Sequence, residues 1–162
     1  MQQEQDKLKD PVCGMLVPRD KYAVDYLDMH FAFCSQQCQS RFLANPNLYI
    51  GKPGHPSHKD EVIKRRRLKL SEALSSQQSE ELVKELGSMM GIKQVTVMQE
   101  EVEITYDLLQ ATAEQVEHRI VQLGGRPGNG MAEKLRRAFV HYLEETEVDS
   151  LEGSSSSHGH HH

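Results

Sequence analysis

The 162-residue chain has no tryptophan, only three cysteines, and 6% aromatic residues. Hydrophobic residues make up 37% and mean hydropathy is −0.63, so the core is modest and much of the surface is polar. No apolar run approaches the length of a membrane-spanning helix. Residues 1–9 are polar and carry no apolar segment of the kind found in a secretory signal. A net charge of −5 argues against generic nucleic-acid binding, which relies on cations to neutralise phosphates. A Gly-rich phosphate loop, a nucleophile elbow and a carboxylate-rich iron set are all missing. The expectation is therefore a protein that is not an enzyme. Free thiols without a secretion signal point to the cytoplasm.

What the chain does have is concentrated between Asp10 and Tyr49, where Cys13, Cys34 and Cys38 all lie. Thiolates are soft ligands suited to Cu(I), Ag(I) or Zn(II). The competing reading is three reduced thiols serving as small buried hydrophobes. Cys13 follows Pro11 and precedes Gly14, a combination that suits a tight turn. Val24, Tyr26, Phe31 and Phe33 alternate as in a hairpin turning near Asp28, with Cys34 ending the second strand. Ser35 is placed to cap a helix over 36–44, with Cys38 in its first turn, where the helix dipole lowers a thiol pKa. Phe42 lies four residues further on the same face, and Asn45-Pro46 stops the helix.

The pieces Asp10-Pro11-Val12-Cys13-Gly14-Met15, Phe33-Cys34-Ser35 with Cys38, and then Phe42, Pro46 and Tyr49 resemble a YHS domain. This small module belongs with the zinc-ribbon-like TRASH group and is found in soft-metal P-type ATPases, copper-handling proteins and some oxygenase components. The resemblance implies metal binding by Cys13, Cys34 and Cys38. It departs from the family name, because no Tyr-His-Ser tripeptide is present, so the fourth ligand stays open among Met15, His30, His55 and His58. A Met15 thioether favours Cu(I), whereas a histidine suits a Cys3His zinc site. Alternatively, Met15 is a core residue of the turn and the histidines lie on the surface.

Beyond this module at 1–50, composition marks 51–66 as a linker, and the basic run Lys64-Arg65-Arg66-Arg67 crosses from it into the next domain. That run reads as a solvated lead-in to a strand. Over 67–125, alternation at Leu68 and Leu70 predicts a strand. Helical spacing of Leu82, Val83, Leu86 and Met90 predicts a helix over 76–89, closed by Gly91. Two strands follow, through Val95 and Val97 and through Val102, Ile104 and Tyr106, with a turn near 99–101. Thr112 and Gln115 form a capping-box signature ahead of a helix carrying Val116, Ile120 and Leu123. This βαββα order is the ferredoxin-like plan without its last strand.

Residues Gly91-Ile92, Val95, Val97 and Leu123-Gly124-Gly125 also resemble heavy-metal-associated domains. Their Cys-x-x-Cys is absent here, because 71–77 holds no cysteine, so this copy implies docking or scaffolding. The stretch 126–150 contains an amphipathic helix from Met131 with Leu135, Ala138, Phe139, Tyr142 and Leu143 on one side, suited to cover a sheet or pair with a partner. Residues 151–162 read as a disordered His-rich tail, either native or a tag. The fold class expected is α+β: a zinc-ribbon-like hairpin and helix, a ferredoxin-like domain, and a C-terminal helix. The function expected is a soft-metal protein that buffers copper or silver or delivers it to a P-type ATPase. The alternatives are a structural zinc module that mediates protein interaction, or an accessory subunit of an enzyme.

Overall fold

A computed structural model describes residues 7–50 and 60–156, with side chains to Gly153. The chain is mixed α+β, with small antiparallel sheets and helices, and divides into two compact units. One comprises Met1–Asp60 with Val148–His162, and the other is Glu61–Glu147. Among the described residues, no helix is long and apolar enough to cross a membrane.

In the first unit, β1 (Lys7–Lys9) pairs antiparallel with β2 (Leu16–Pro18). The loop between them closes through Asp10 N–H to Met15 O (2.8 Å) and Gly14 N–H to Asp10 O (2.8 Å). Gly14 sits at φ +84°, a left-handed conformation that glycine adopts without a Cβ penalty. A second hairpin joins β3 (Val24–Tyr26) to β4 (Met29–Phe31) through Leu27 and Asp28. Both turn residues have positive φ, as a two-residue turn matching the strand twist requires. Strand β4 ends at Phe31, so Phe33 and Cys34 lie beyond the hairpin rather than in it.

Helix α1 (Gln36–Ala44) starts at the Ser35 N-cap and ends at Asn45, and the short α2 (Pro46–Ile50) follows. Phe42 is fully buried, and its ring lies 4.8 to 6.3 Å from those of Phe31, Phe33, Tyr26 and Tyr49. This aromatic cluster is the core against which the cysteine-bearing segments are set. The Asn45 side-chain amide donates to Asp149 (2.9 Å) and Glu152 (3.1 Å), and Asn47 N–H donates to Glu152 (2.8 Å).

The second unit orders its strands β5 (Ile63–Lys69), β7 (Glu101–Asp107) and β6 (Ile92–Met98), all antiparallel. Helices α3 (Ser76–Gly87) and α4 (Ala113–Gln122) bury Leu82, Leu86, Val116 and Ile120 in a core shared with Leu68, Val102 and Ile104. Both helices begin with a reciprocal capping box, Ser75 with Gln78 and Thr112 with Gln115. Helix α3 ends at Gly87, short of Gly91. Gly91 instead takes φ +86° where the chain enters β6, and a Cβ there would meet Gln110 at 2.8 Å.

The basic run lies inside β5 rather than ahead of it. Arg65 and Arg67 each pair with Glu103 on the neighbouring strand (2.9 and 3.0 Å), and these cross-strand pairs offset the poor strand propensity of a charged run. The expected linker therefore stops before Ile63, and its residues 51–59 lie outside the described ones. Helix α5 runs Met131–Ser156, past residue 150 and into the stretch expected to be disordered. Glu152 is held there by Asn45 and Asn47, while 157–162 lie outside the described residues.

Candidate metal centre

Three local structures bring the cysteines together. The β1–β2 loop carries Cys13, the chain entering α1 carries Cys34, and the first turn of α1 carries Cys38. The Sγ atoms of Cys13 and Cys34 lie 3.5 Å apart, and those of Cys34 and Cys38 lie 3.6 Å apart. All three cysteines are free, and these separations are far beyond a disulfide bond of about 2.05 Å. A tetrahedral ion with metal–sulfur bonds of about 2.3 Å would hold its sulfurs about 3.8 Å apart. Only a small adjustment separates the three thiols from that arrangement.

The fourth member of the group is Asp10, whose carboxylate lies with the three sulfurs inside a span of 4.8 Å. Its side chain is fully buried. Oδ1 accepts from the amides of Val12 (2.7 Å) and Cys13 (3.2 Å), and Oδ2 accepts from the amide of Cys34 (2.8 Å). One carboxylate thus ties the Cys13 loop to the Cys34 segment, 24 residues further along the chain. Burial pushes its pKa up, but the amide bonds from Cys34, Val12 and Cys13 outweigh that and hold it below the usual carboxylate value. The sequence signal was an aspartate opening an Asp-Pro turn, where its side chain accepts from amides two and three residues on.

Electrostatics run opposite to the expectation from the helix dipole. Burial, with Cys34 and Asp10 adding to it and the Met15 amide opposing it, pushes the Cys13 thiol up to about 12. Burial also raises Cys38, followed by the charges of Asp10, Cys13 and Cys34. Placing a negative sulfur at Cys38 costs free energy because that thiol is buried and adjoins Asp10 and the other two sulfurs. A cation removes that cost, so metal binding here displaces protons.

Of the remaining candidates, Met15 and His30 are among the described residues. The Met15 side chain is half exposed. His30 stands outside the group. Its Nδ1 contacts Asp25 (2.6 Å) and its Nε2 contacts the Arg19 carbonyl (2.9 Å), so both ring nitrogens are engaged within their own hairpin region. His55 and His58 lie outside the described residues.

A comparison with curated proteins found no match. Among solved structures, a CsoZ metallochaperone is similar at 18% identity with a TM-score of 0.39, over 42% of this chain and 100% of that one. Residues 8–52, which contain the Cys13, Cys34 and Cys38 cluster, match the YHS domain family.

Proposed function

We propose that the chain is a soft-metal-binding protein rather than an enzyme, and that it buffers Cu(I) or Ag(I) or passes it to a metal-handling partner such as a P-type ATPase in the cytoplasm. The observation that carries this reading is the convergence of three sulfurs from separate segments, at 3.5 and 3.6 Å. Sulfur donors of this kind match a soft cation. Transfer is favoured by uneven exposure, since Cys38 is buried while Cys13 and Cys34 are partly accessible to an incoming ligand.

We read the module as zinc-ribbon-like and the second unit as a ferredoxin-like domain short of its last strand, a relative of heavy-metal-associated domains without their thiolate loop. The β5-β7-β6 order and the βαββα succession support the second part. A structural zinc site is the second reading. It is favoured by the Asp10 oxygen near the sulfurs and by sulfur spacings close to a tetrahedral edge.

Competitive Cu(I) and Zn(II) titrations decide between the two. They should use the full chain with His158, His160, His161 and His162 changed to serine, so that the tail binds nothing. One tightly held Cu(I) per chain is expected, and the combined Cys13→Ser, Cys34→Ser and Cys38→Ser variant should lose it. Undiminished binding by that variant would sink the assignment, and slow-exchanging Zn(II) in place of Cu(I) would select the structural reading. Met15→Leu should weaken Cu(I) about tenfold and leave Zn(II) unchanged if the thioether joins the site, since thioether sulfur is a soft donor. An equal effect on both metals would assign Met15 to packing.

A further inference from the structure

Helix α5 faces the wrong way for an amphipathic helix of a monomer. Within the second unit, its inward contacts are polar. Arg137 bonds Glu117 (3.5 Å) and the Gly128 carbonyl (2.5 Å), His141 bonds Glu117 (2.8 Å), Glu144 bonds the Ala113 amide (2.7 Å), and Glu147 bonds Lys64 (2.6 Å). Its apolar stripe points to solvent. Met131 is 75% exposed, Leu135 63%, Phe139 61%, Tyr142 64% and Leu143 42%. Isolated exposed apolar residues are ordinary, but an aligned row of five large ones is the mark of an interaction surface. The steps of four, four and three from Met131 to Tyr142 place them along one side of about 18 Å of helix, the spacing that packs helix on helix.

We propose that this stripe is the self-association surface of the protein, on which α5 of a second copy packs antiparallel about a two-fold axis near Phe139. The flanking charges select this occupant and this direction. The exposed Lys134 and Arg136 border the first half of the stripe, and the exposed Glu145 borders the second. Antiparallel pairing about Phe139 sets Leu135 opposite Leu143 of the copy, and brings Lys134 within one residue of its Glu145. A parallel pair would put Lys134 against Lys134. The arrangement is isologous, so the same patch serves both partners and the assembly closes at two.

The test is sedimentation of the full chain from about 1 to about 200 µM, in chelator and reductant so that neither metal nor an interchain disulfide imitates the interface. The expected species is a dimer of the 18.4 kDa chain. Phe139→Glu and Leu135→Glu alter exposed residues and leave the fold intact, and each should raise the dimer dissociation constant at least about tenfold. Lys134→Glu should weaken the dimer, and adding Glu145→Lys should restore it. A monomer across the whole range, or a dimer indifferent to Phe139→Glu, would overturn the proposal. A Lys134→Glu defect not repaired by Glu145→Lys would overturn the antiparallel register.

Discussion

Phe42→Ala is expected to unfold the metal-free cysteine module while leaving the Glu61–Glu147 unit intact. Phe42 is fully buried and is the common partner of Tyr26, Phe31, Phe33 and Tyr49. Truncating a buried phenylalanine costs about 3–5 kcal/mol through lost transfer energy and the cavity left behind. A unit of this size holds only about 5 kcal/mol in total. Residue-resolved hydrogen exchange should show protection lost at Phe33, Cys38 and Leu48 but kept in β5, β6 and β7. A saturating metal should restore part of it, because a ligand bound only to the folded state adds stability by mass action. Wild-type protection in the metal-free variant would mean that the aromatic cluster is not the core of this unit.

The second large effect is expected at Glu144, which is 2% exposed. Its carboxylate accepts from the Tyr106 hydroxyl and from the Ala113 amide, and faces Arg66 at 3.5 Å. Ala113 opens α4, so the carboxylate also sits at the positive end of that helix. Burial, followed by the carboxylate's charge, pushes the Tyr106 phenol well above its ordinary value, so this hydroxyl stays a donor. Glu144→Ala strands three polar groups and should cost about 3–5 kcal/mol. For a unit of this length, that lowers the melting temperature by about 10 °C or more. Glu144→Gln keeps acceptor and shape but loses the charge, and should cost about half as much. The check is a pair of thermal melts followed by circular dichroism. Equal melting of Glu144→Ala and the parent chain would show that the buried network contributes nothing.

Legibility in the sequence followed the range of the interactions. Helix α1 was readable from Ser35 and the Asn45-Pro46 stop, and α4 from Thr112 and Gln115, because capping is decided within four residues. The cysteines were readable because three soft donors in so short a stretch have few other uses. Asp10 was seen only as part of a motif. Its role depends on the amide of Cys34, which a local pattern does not place beside it. A strand was readable at Leu68, but the earlier part of β5 was hidden under its own arginines, whose partner Glu103 lies on another strand. The apolar stripe of α5 was legible, but its direction stayed open between sheet and partner, since Glu117, Ala113 and Lys64, which draw the polar side inward, lie on other elements. Periodicity finds the two sides of a helix and is silent on which one its neighbours want.

The chain order of the two units has a consequence for synthesis. The Glu61–Glu147 unit is continuous, whereas the metal-site unit is interrupted by it and completed only by the segment from Val148. Asn45 waits for Asp149 and Glu152, partners 104 and 107 residues later. As the chain emerges from a ribosome, the later-made unit can therefore close before the earlier-made one is finished. The cysteine-bearing segments therefore leave the ribosome well before the segment that holds Asn45. A nascent chain that stalls before Val148 thus presents its three thiols on an unfinished scaffold, so a fault after the second unit is felt in the first.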